Sequence, residues 1–272
     1  MPSYARPSDL TEVLGMTAQG YRVLAGGTDI YPGAGWGLAG DVVDVTAVPA
    51  LHGISMGPGL RIGACVTWSQ IAEAQLPPAL HALQQAALQI GGRQVQNVGT
   101  IGGNICNASP AADGIPPLLA LSAEVEIAGP GGTRRMPLEQ CVTGPRKVAL
   151  ASEEILLAIH IPETALQGRS AFLKLGARSH LVISIAMAAL RLVIKNGRIT
   201  EASASIGACG PTACRLPAFE QVLIGQSLDA IDMHAPLIHA AVLPIDDIRA
   251  TAVYRAEAAV TLLRRLVAEV GQ

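Results

Sequence analysis

The sequence predicts an α+β protein built from more than one compact unit. Three observations lead there. Two glycine-rich stretches about seventy residues apart punctuate the first half, apolar runs around an Asn196-Gly197 hairpin signal suit antiparallel strands in the second, and helical periodicity closes the chain. With 272 residues, half of them apolar, the chain has material for two or three cores.

Taken in order, Ser8 to Thr17 carries Leu10, Val13 and Leu14 at helical spacing, with Ser8 or Asp9 as N-cap and Gly20 as the stop. Tyr21 to Ala25 reads as a strand entering the first glycine stretch, Leu24-Ala25-Gly26-Gly27-Thr28-Asp29, and Val42-Val43-Asp44-Val45 as the next strand. Leu60 to Ala64 is a further strand, followed by a short helix around Ser69 to Ala74. A longer helix then places Leu80, Leu83, Ala87 and Ile90 on one face, and Gly91-Gly92 ends it.

The second glycine stretch, Val98-Gly99-Thr100-Ile101-Gly102-Gly103-Asn104, reads as a loop that continues through small and polar residues to Asp113. Asp113 stands where it would cap a helix through Leu118, Leu119 and Leu121. Val125-Glu126-Ile127 is a strand ending in the turn Gly129-Pro130-Gly131-Gly132, and Glu154 to Ile161 alternates as a strand closed by Pro162. Polar residues from Glu163 to Arg169 mark a boundary. Beyond it, Ala171 to Gly176 and Ile199 to Ile206 are strands, and Leu181 to Leu190 reads as a buried core segment. Val260, Leu263, Val267 and Val270 define one face of a helix from Tyr254 to Val270.

Composition excludes several function classes. A net charge of -2 and only 3% aromatics argue against nucleic acid and anionic membrane as partners. The longest apolar run falls far short of the roughly 20 residues that span a bilayer. Five cysteines without a CxxC pair suit reduced thiols, and the start, Met1 to Pro7, shows no export signal, so the expected compartment is cytoplasmic. His234 and His239 are not on one helical face, and no metal site is expected. Gly35-Trp36-Gly37-Leu38-Ala39-Gly40 matches GxGxxG but lacks the strand before and helix after that a Rossmann site requires.

Each glycine stretch offers backbone N–H groups that no Cβ shields, beside a hydroxyl or amide, which suits an oxyanion. Two such stretches converging in space would clamp a dinucleotide's pyrophosphate from two sides. Leu24 to Asp29 and Thr100 to Asp113 resemble the two FAD-binding motifs of the flavoprotein (medium) subunit of molybdenum hydroxylases, a family that includes carbon monoxide dehydrogenase medium subunits and the flavin domain of xanthine dehydrogenase. The likeness continues through Glu153 to Leu156, Phe172-Leu173-Lys174, Gly210-Pro211-Thr212, Arg215-Leu216-Pro217 and the Tyr254-Arg255 helix, so it covers nearly the whole chain.

That resemblance implies a two-subdomain FAD-binding module of PCMH type, of the vanillyl-alcohol-oxidase-like superfamily, with subdomains at 1–57 and 58–166. A C-terminal α+β domain with an antiparallel sheet and helices at 167–272 would follow. It implies that Ala25, Gly26, Gly27, Thr28, Asp29 and Ile30, with Gly99, Thr100, Ile101, Gly102, Gly103 and Asn104, surround the pyrophosphate, Asp29 holding loop backbone or a sugar hydroxyl. Asp113 would accept from a ribityl or ribose hydroxyl, and Val95, Cys106 and Leu156 would pack near the flavin or adenosine. Lys174 matches a lysine at the pyrimidine edge of the flavin, where a cation raises the potential. No residue here would be catalytic toward the hydroxylated substrate.

The partners implied are a large molybdopterin subunit and a small subunit with two [2Fe–2S] clusters, in a dimer of heterotrimers that delivers electrons to an external acceptor. Two departures stand out. No basic residue follows the first motif in Tyr31-Pro32-Gly33-Ala34-Gly35-Trp36, and after Arg178 this chain has Leu181-Val182-Ile183 where relatives commonly show an acidic residue before the next strand. A stand-alone flavin reductase and a non-catalytic nucleotide-binding assembly protein are the alternatives.

Overall fold

The computed structural model describes residues 3–271 apart from 36, 229, 230 and 232, so Trp36 of the GxGxxG match lies outside the described residues. The first sheet has Val42–Asp44 at its centre, with Tyr4–Ala5 and Arg22–Leu24 paired parallel on either side. The helix Leu10–Ala18 precedes it, capped by Asp9, whose carboxylate accepts from the N–H groups of Thr11 and Glu12. Ile54–Gly57, Gly59–Gly63, Ile155–Pro162, Glu124–Gly129 and Gly132–Pro137 form the second sheet, antiparallel in that spatial order. Val13 and Val43 from the first unit share one core with Ile62, Ile127 and Ile159 from the second.

A third sheet, in the order Arg169–Leu175, Ala186–Lys195, Arg198–Gly207 and Cys214–Arg215, is wholly antiparallel. Asn196 and Gly197 both have positive φ, +52° and +72°, which the hairpin turn between its two long strands requires. Alternation along Ala186–Lys195 divides the side chains between two cores. Ala186, Ala188, Leu190 and Leu192 face the C-terminal helices, while Met187 and Ala189 meet Ala82, Ala86 and Ala120 of the N-terminal region. Both faces of the strand are therefore covered.

The long helix Ala252–Val270 starts at Thr251, whose hydroxyl accepts from the Tyr254 N–H, and spans about 28 Å at the usual rise. Its buried stripe, Ala259, Leu262, Leu263, Leu266, Val267 and Val270, recurs at steps of one, three and four and lies against the third sheet.

Several sequence expectations change. The second glycine stretch is not a loop: Ile101–Asn107 is an α-helix with Thr100 as N-cap. Ile101 and Ile105, one turn apart and both fully buried, anchor it, so two glycines in its first turn do not prevent it from forming. Asp113 does not cap the helix Ile115–Ala120, because Gly114 holds that position and the carboxylate is engaged elsewhere. Leu181 and Ile183 are well exposed, so the buried segment begins only at Ser184. The strands Tyr4–Ala5 and Ile54–Gly57 and the helices Arg93–Val98, Pro217–Leu223 and Ala235–Ala241 are too short for periodicity to separate helix from strand.

Candidate functional site

A cleft of about 420 Å³ opens where the end of the strand Arg22–Leu24 meets the helix Ile101–Asn107, a size in the range of small-molecule sites. The two glycine stretches touch there. A Cβ on Gly26 would lie 1.9 Å from the Val98 carbonyl oxygen and 3.0 Å from Gly99 Cα, so only glycine permits this approach. Gly27 adopts φ +70° beneath the Tyr31 ring, and the N–H groups of Ile30 and Tyr31 both donate to its carbonyl. That turn holds the first stretch open toward the cleft.

The two stretches differ in what they offer. In the second, Ile101 N–H donates to Val66 O at 3.0 Å, Gly102 N–H to Ala64 O at 2.9 Å, Gly103 N–H to Thr100 Oγ1 at 3.0 Å and Asn104 N–H to Thr100 O at 3.0 Å. Its first-turn donors are thus already used. In the first, the N–H groups of Gly26, Gly27, Thr28 and Asp29 have no acceptor among the described residues. The two glycine stretches were expected to bind alike; instead the loop supplies free donors, and the helix supplies shape.

Gly102 fits closely because a Cβ there would meet Ala64 Cβ and Ala64 O, each at 2.7 Å. Thr100 Oγ1 accepts from Gly103 and keeps its own proton to donate. Asn104 Oδ1 is buried with no hydrogen-bond partner among the described residues, although the side chain lines the cleft. An orphaned acceptor of this kind costs free energy until something donates to it. Free N–H groups and an open hydroxyl fit a ligand carrying phosphate.

Charge in the lining is sparse: Arg22, Asp29 and Glu154. Glu154 is neutralised by a two-pronged contact from Arg134, Nε to Oε1 at 2.9 Å and Nη2 to Oε2 at 2.8 Å, and it also accepts from the Ala151 N–H. These contacts, the Arg134 hydrogen bonds first, hold its pKa down at about 2. Val95, Leu150, Ile155 and Leu156 give the cleft apolar walls, and Trp68, 2% exposed, forms part of its floor against Gly99.

Of the residues expected from sequence, the cleft brings together Ala25, Gly26, Gly27, Thr28, Asp29, Ile30, Val95, Gly99, Thr100, Gly102, Gly103, Asn104, Cys106 and Leu156. It does not bring in Ile101, Asp113 or Lys174. Ile101 is fully buried in the core. Asp113 accepts from Lys174 Nζ at 2.6 Å and from Ser184 Oγ at 2.5 Å, and both oxygens are thereby engaged. Lys174 Nζ also lies 3.4 Å from Gln89 O, next in the chain to Ile90 of the cleft wall. Burial pushes the Asp113 carboxyl up, with Lys174 and Ser184 pulling it back.

Sequence reasoning missed Ala64, Trp68, Asn107, Leu150 and Glu154. Trp68 carried one legible signal, since Thr67 and Gln70 form a reciprocal capping box that fixes the helix Trp68–Glu73 beside it. Asn107 and Glu154 lie within stretches that carry the resemblance, while Ala64 and Leu150 are ordinary residues whose place depends on packing. Among the described residues there is no group of three or more metal-ligating side chains, and no helix is long and apolar enough to cross a membrane.

Comparison with known proteins covers nearly the whole chain. Residues 1–164 match the family described as the FAD binding domain in molybdopterin dehydrogenase, and residues 171–270 match the CO dehydrogenase flavoprotein C-terminal domain. The chain is 32% identical over 280 residues to a xanthine dehydrogenase FAD-binding subunit of Escherichia coli O157:H7, covering 98% of this chain and 95% of that protein. It is 31% identical over 274 residues to the carbon monoxide dehydrogenase medium chain of Afipia carboxidovorans, covering 97% and 94%. Its fold superimposes on a chain of reconstituted CO dehydrogenase from Oligotropha carboxidovorans with a TM-score of 0.91 at 27% identity, covering 100% of this chain and 98% of that one.

Proposed function

This chain belongs to the family of FAD-binding medium subunits of molybdenum hydroxylases, and from that premise we propose that it relays electrons from [2Fe–2S] clusters of a small partner subunit to an external acceptor. A large molybdopterin subunit would hold and oxidise the substrate, the assembly would be a dimer of heterotrimers, and its compartment would be the cytoplasm. FAD is the cofactor of the family's oxidoreductases, and when bound it supplies the chemistry that accepts electrons singly and releases them in pairs.

The chain's own residues bind and orient. Gly26, Gly27, Thr28 and Asp29 donate backbone N–H groups to the pyrophosphate, with the Thr28 and Thr100 hydroxyls beside them. The Asn104 side chain would stand beside the ribityl or ribose chain, its amide NH2 free to donate to a hydroxyl there. Val95, Cys106, Ile155 and Leu156 exclude water from the ring systems. Asp113 and Lys174, outside the lining, form the buried pair behind Ile90. The division at 1–57, 58–166 and 167–272 belongs to the same reading, with the two motifs meeting at the junction of the first two units.

The observation that supports this reading is the close contact of Gly26 with Val98 and Gly99, with the four free N–H groups lining the same cleft as Thr100 and Asn104. The test is to isolate the native complex through a tag on this chain, denature it, and quantify released flavin, molybdenum and iron. One FAD per chain, with both metals in the same particle, is expected. A flavin-free particle would overturn the assignment, and flavin without either metal would favour a stand-alone reductase.

A further inference from the structure

Asp29, Asn107 and Arg146 come from three separate segments and meet at one rim of the cleft. Asn107 Nδ2 donates to Asp29 Oδ1 at 2.8 Å. Arg146 Nη1 donates to the Asn107 side-chain oxygen and, at 3.3 Å, to its backbone carbonyl, and lies 4.0 Å from Asp29 Oδ1. The backbone is committed as well. Arg146 N–H donates to Ala108 O at 2.8 Å, and the two residues have φ of +59° and +45°, a region that side chains other than glycine occupy only when their surroundings hold them there.

The rim has an electrostatic problem that this arrangement addresses. With Glu154 neutralised by Arg134, Asp29 is the carboxylate left standing in the lining, more than half exposed and on the loop whose free N–H groups would face a dianion. Like charges brought close oppose binding. A neighbouring cation held in register offsets that opposition, and Arg146 is placed to act so.

We propose that Arg146 is a positioning residue for dinucleotide binding: through Asn107 it draws the Asp29 carboxylate to the rim, offsets its charge, and pins the first glycine loop to the end of the helix Ile101–Asn107. This rests on the reading that the cleft holds FAD. It accounts for Asp29 as a structural member of the loop whose charge the site must manage.

The test is fluorescence titration of the full-length chain with FAD at about 50 mM and about 300 mM salt, where screening differs strongly. Arg146→Gln, Arg146→Lys, Asp29→Asn and the double variant Asp29→Asn/Arg146→Gln are compared, with circular dichroism as a check on folding. Arg146→Gln should weaken FAD binding roughly threefold to fivefold at low salt and less at high salt, in keeping with an exposed charge pair. Arg146→Lys should recover part of the loss, and the double variant should bind about as Asp29→Asn does.

A double variant as weak as Arg146→Gln would overturn the proposal, since Arg146 would then act on something other than Asp29. So would an unaltered Arg146→Gln. If Arg146→Gln does not fold, Asp29→Asn alone decides: wild-type or tighter binding supports the proposal, and a tenfold loss overturns it. Failure of the wild-type chain to bind FAD would sink the reading of the cleft and the proposal together, a result distinct from an unaltered variant.

Discussion

Lys174 Nζ lies 2.6 Å from Asp113 Oδ2, and this pair, with side chains 6% and 9% exposed, joins the two regions of the chain that match separate families. Ser184 Oγ takes the other carboxylate oxygen. The bond sits beside further links across the same seam: Ala82 N–H to Ser170 Oγ at 2.9 Å, and Ser205 Oγ to Pro116 O at 2.6 Å. A buried charge that loses its partner is costly, whereas removing both charges is not. Asp113→Asn should therefore lower the free energy of unfolding by about 3–5 kcal/mol in urea, and Asp113→Asn/Lys174→Met should recover most of it. A single variant within about 1 kcal/mol of wild type would show that water reaches the pair.

The glycines at the cleft should separate stability from binding. Gly26→Ala forces a Cβ against the Val98 carbonyl, so a loss of at least about 2 kcal/mol and of bound flavin is expected. Gly103→Ala meets only Thr100 Oγ1, at 2.9 Å, and Gly103 is exposed within a helix, where alanine is the better residue. It should keep its melting midpoint while binding FAD more weakly. Thermal melts and flavin stoichiometry on both variants check this contrast, and equal effects would count against the placement of the cleft.

Asn104 gives a second separation. Its Oδ1 is buried against Gly114 with no donor among the described residues, so Asn104→Ala should cost the ligand-free protein little. FAD affinity should fall about tenfold, the worth of one hydrogen bond from the amide NH2. Isothermal titration alongside denaturant unfolding measures both quantities, and unchanged affinity would remove Asn104 from the site.

Acid should act through Glu154. Its folded pKa of about 2 lies below the ordinary carboxylate value of 4.5, so its contribution to stability is fully present above about pH 4.5 and is lost as pH falls toward 2. Glu154→Gln should be less stable than wild type at pH 6, and the gap should narrow by pH 3. Urea midpoints at the two pH values test this, and a constant gap would mean that the Arg134 contact contributes nothing to folding.

Much of the fold was legible from the chain. The Asn196-Gly197 turn, the cap at Asp9 and the stripe of Val260, Leu263, Val267 and Val270 depend on neighbours a few residues away, and the observed elements follow them. Legibility stopped where the partner was distant. Leu181 and Ile183 are apolar yet exposed, because the strand that buries its residues begins only after them. Two glycines in a row at 102 and 103 read as a loop, yet the anchoring of Ile101 and Ile105 in the core makes a helix.

By itself the sequence determined the Asp9 cap, the Asn196-Gly197 turn and the closing helix, that two glycine stretches lie at the heart of the first half, and the family to which they point. Only the tertiary structure decided which stretch keeps its donors. Ala64 and Val66, more than thirty residues away in the chain, take the N–H groups of Gly102 and Ile101, while no described residue reaches those of Gly26 to Asp29. The reason is physical: a turn or a cap is closed by its own neighbours, but whether a backbone donor is free depends on an acceptor that another segment brings to it.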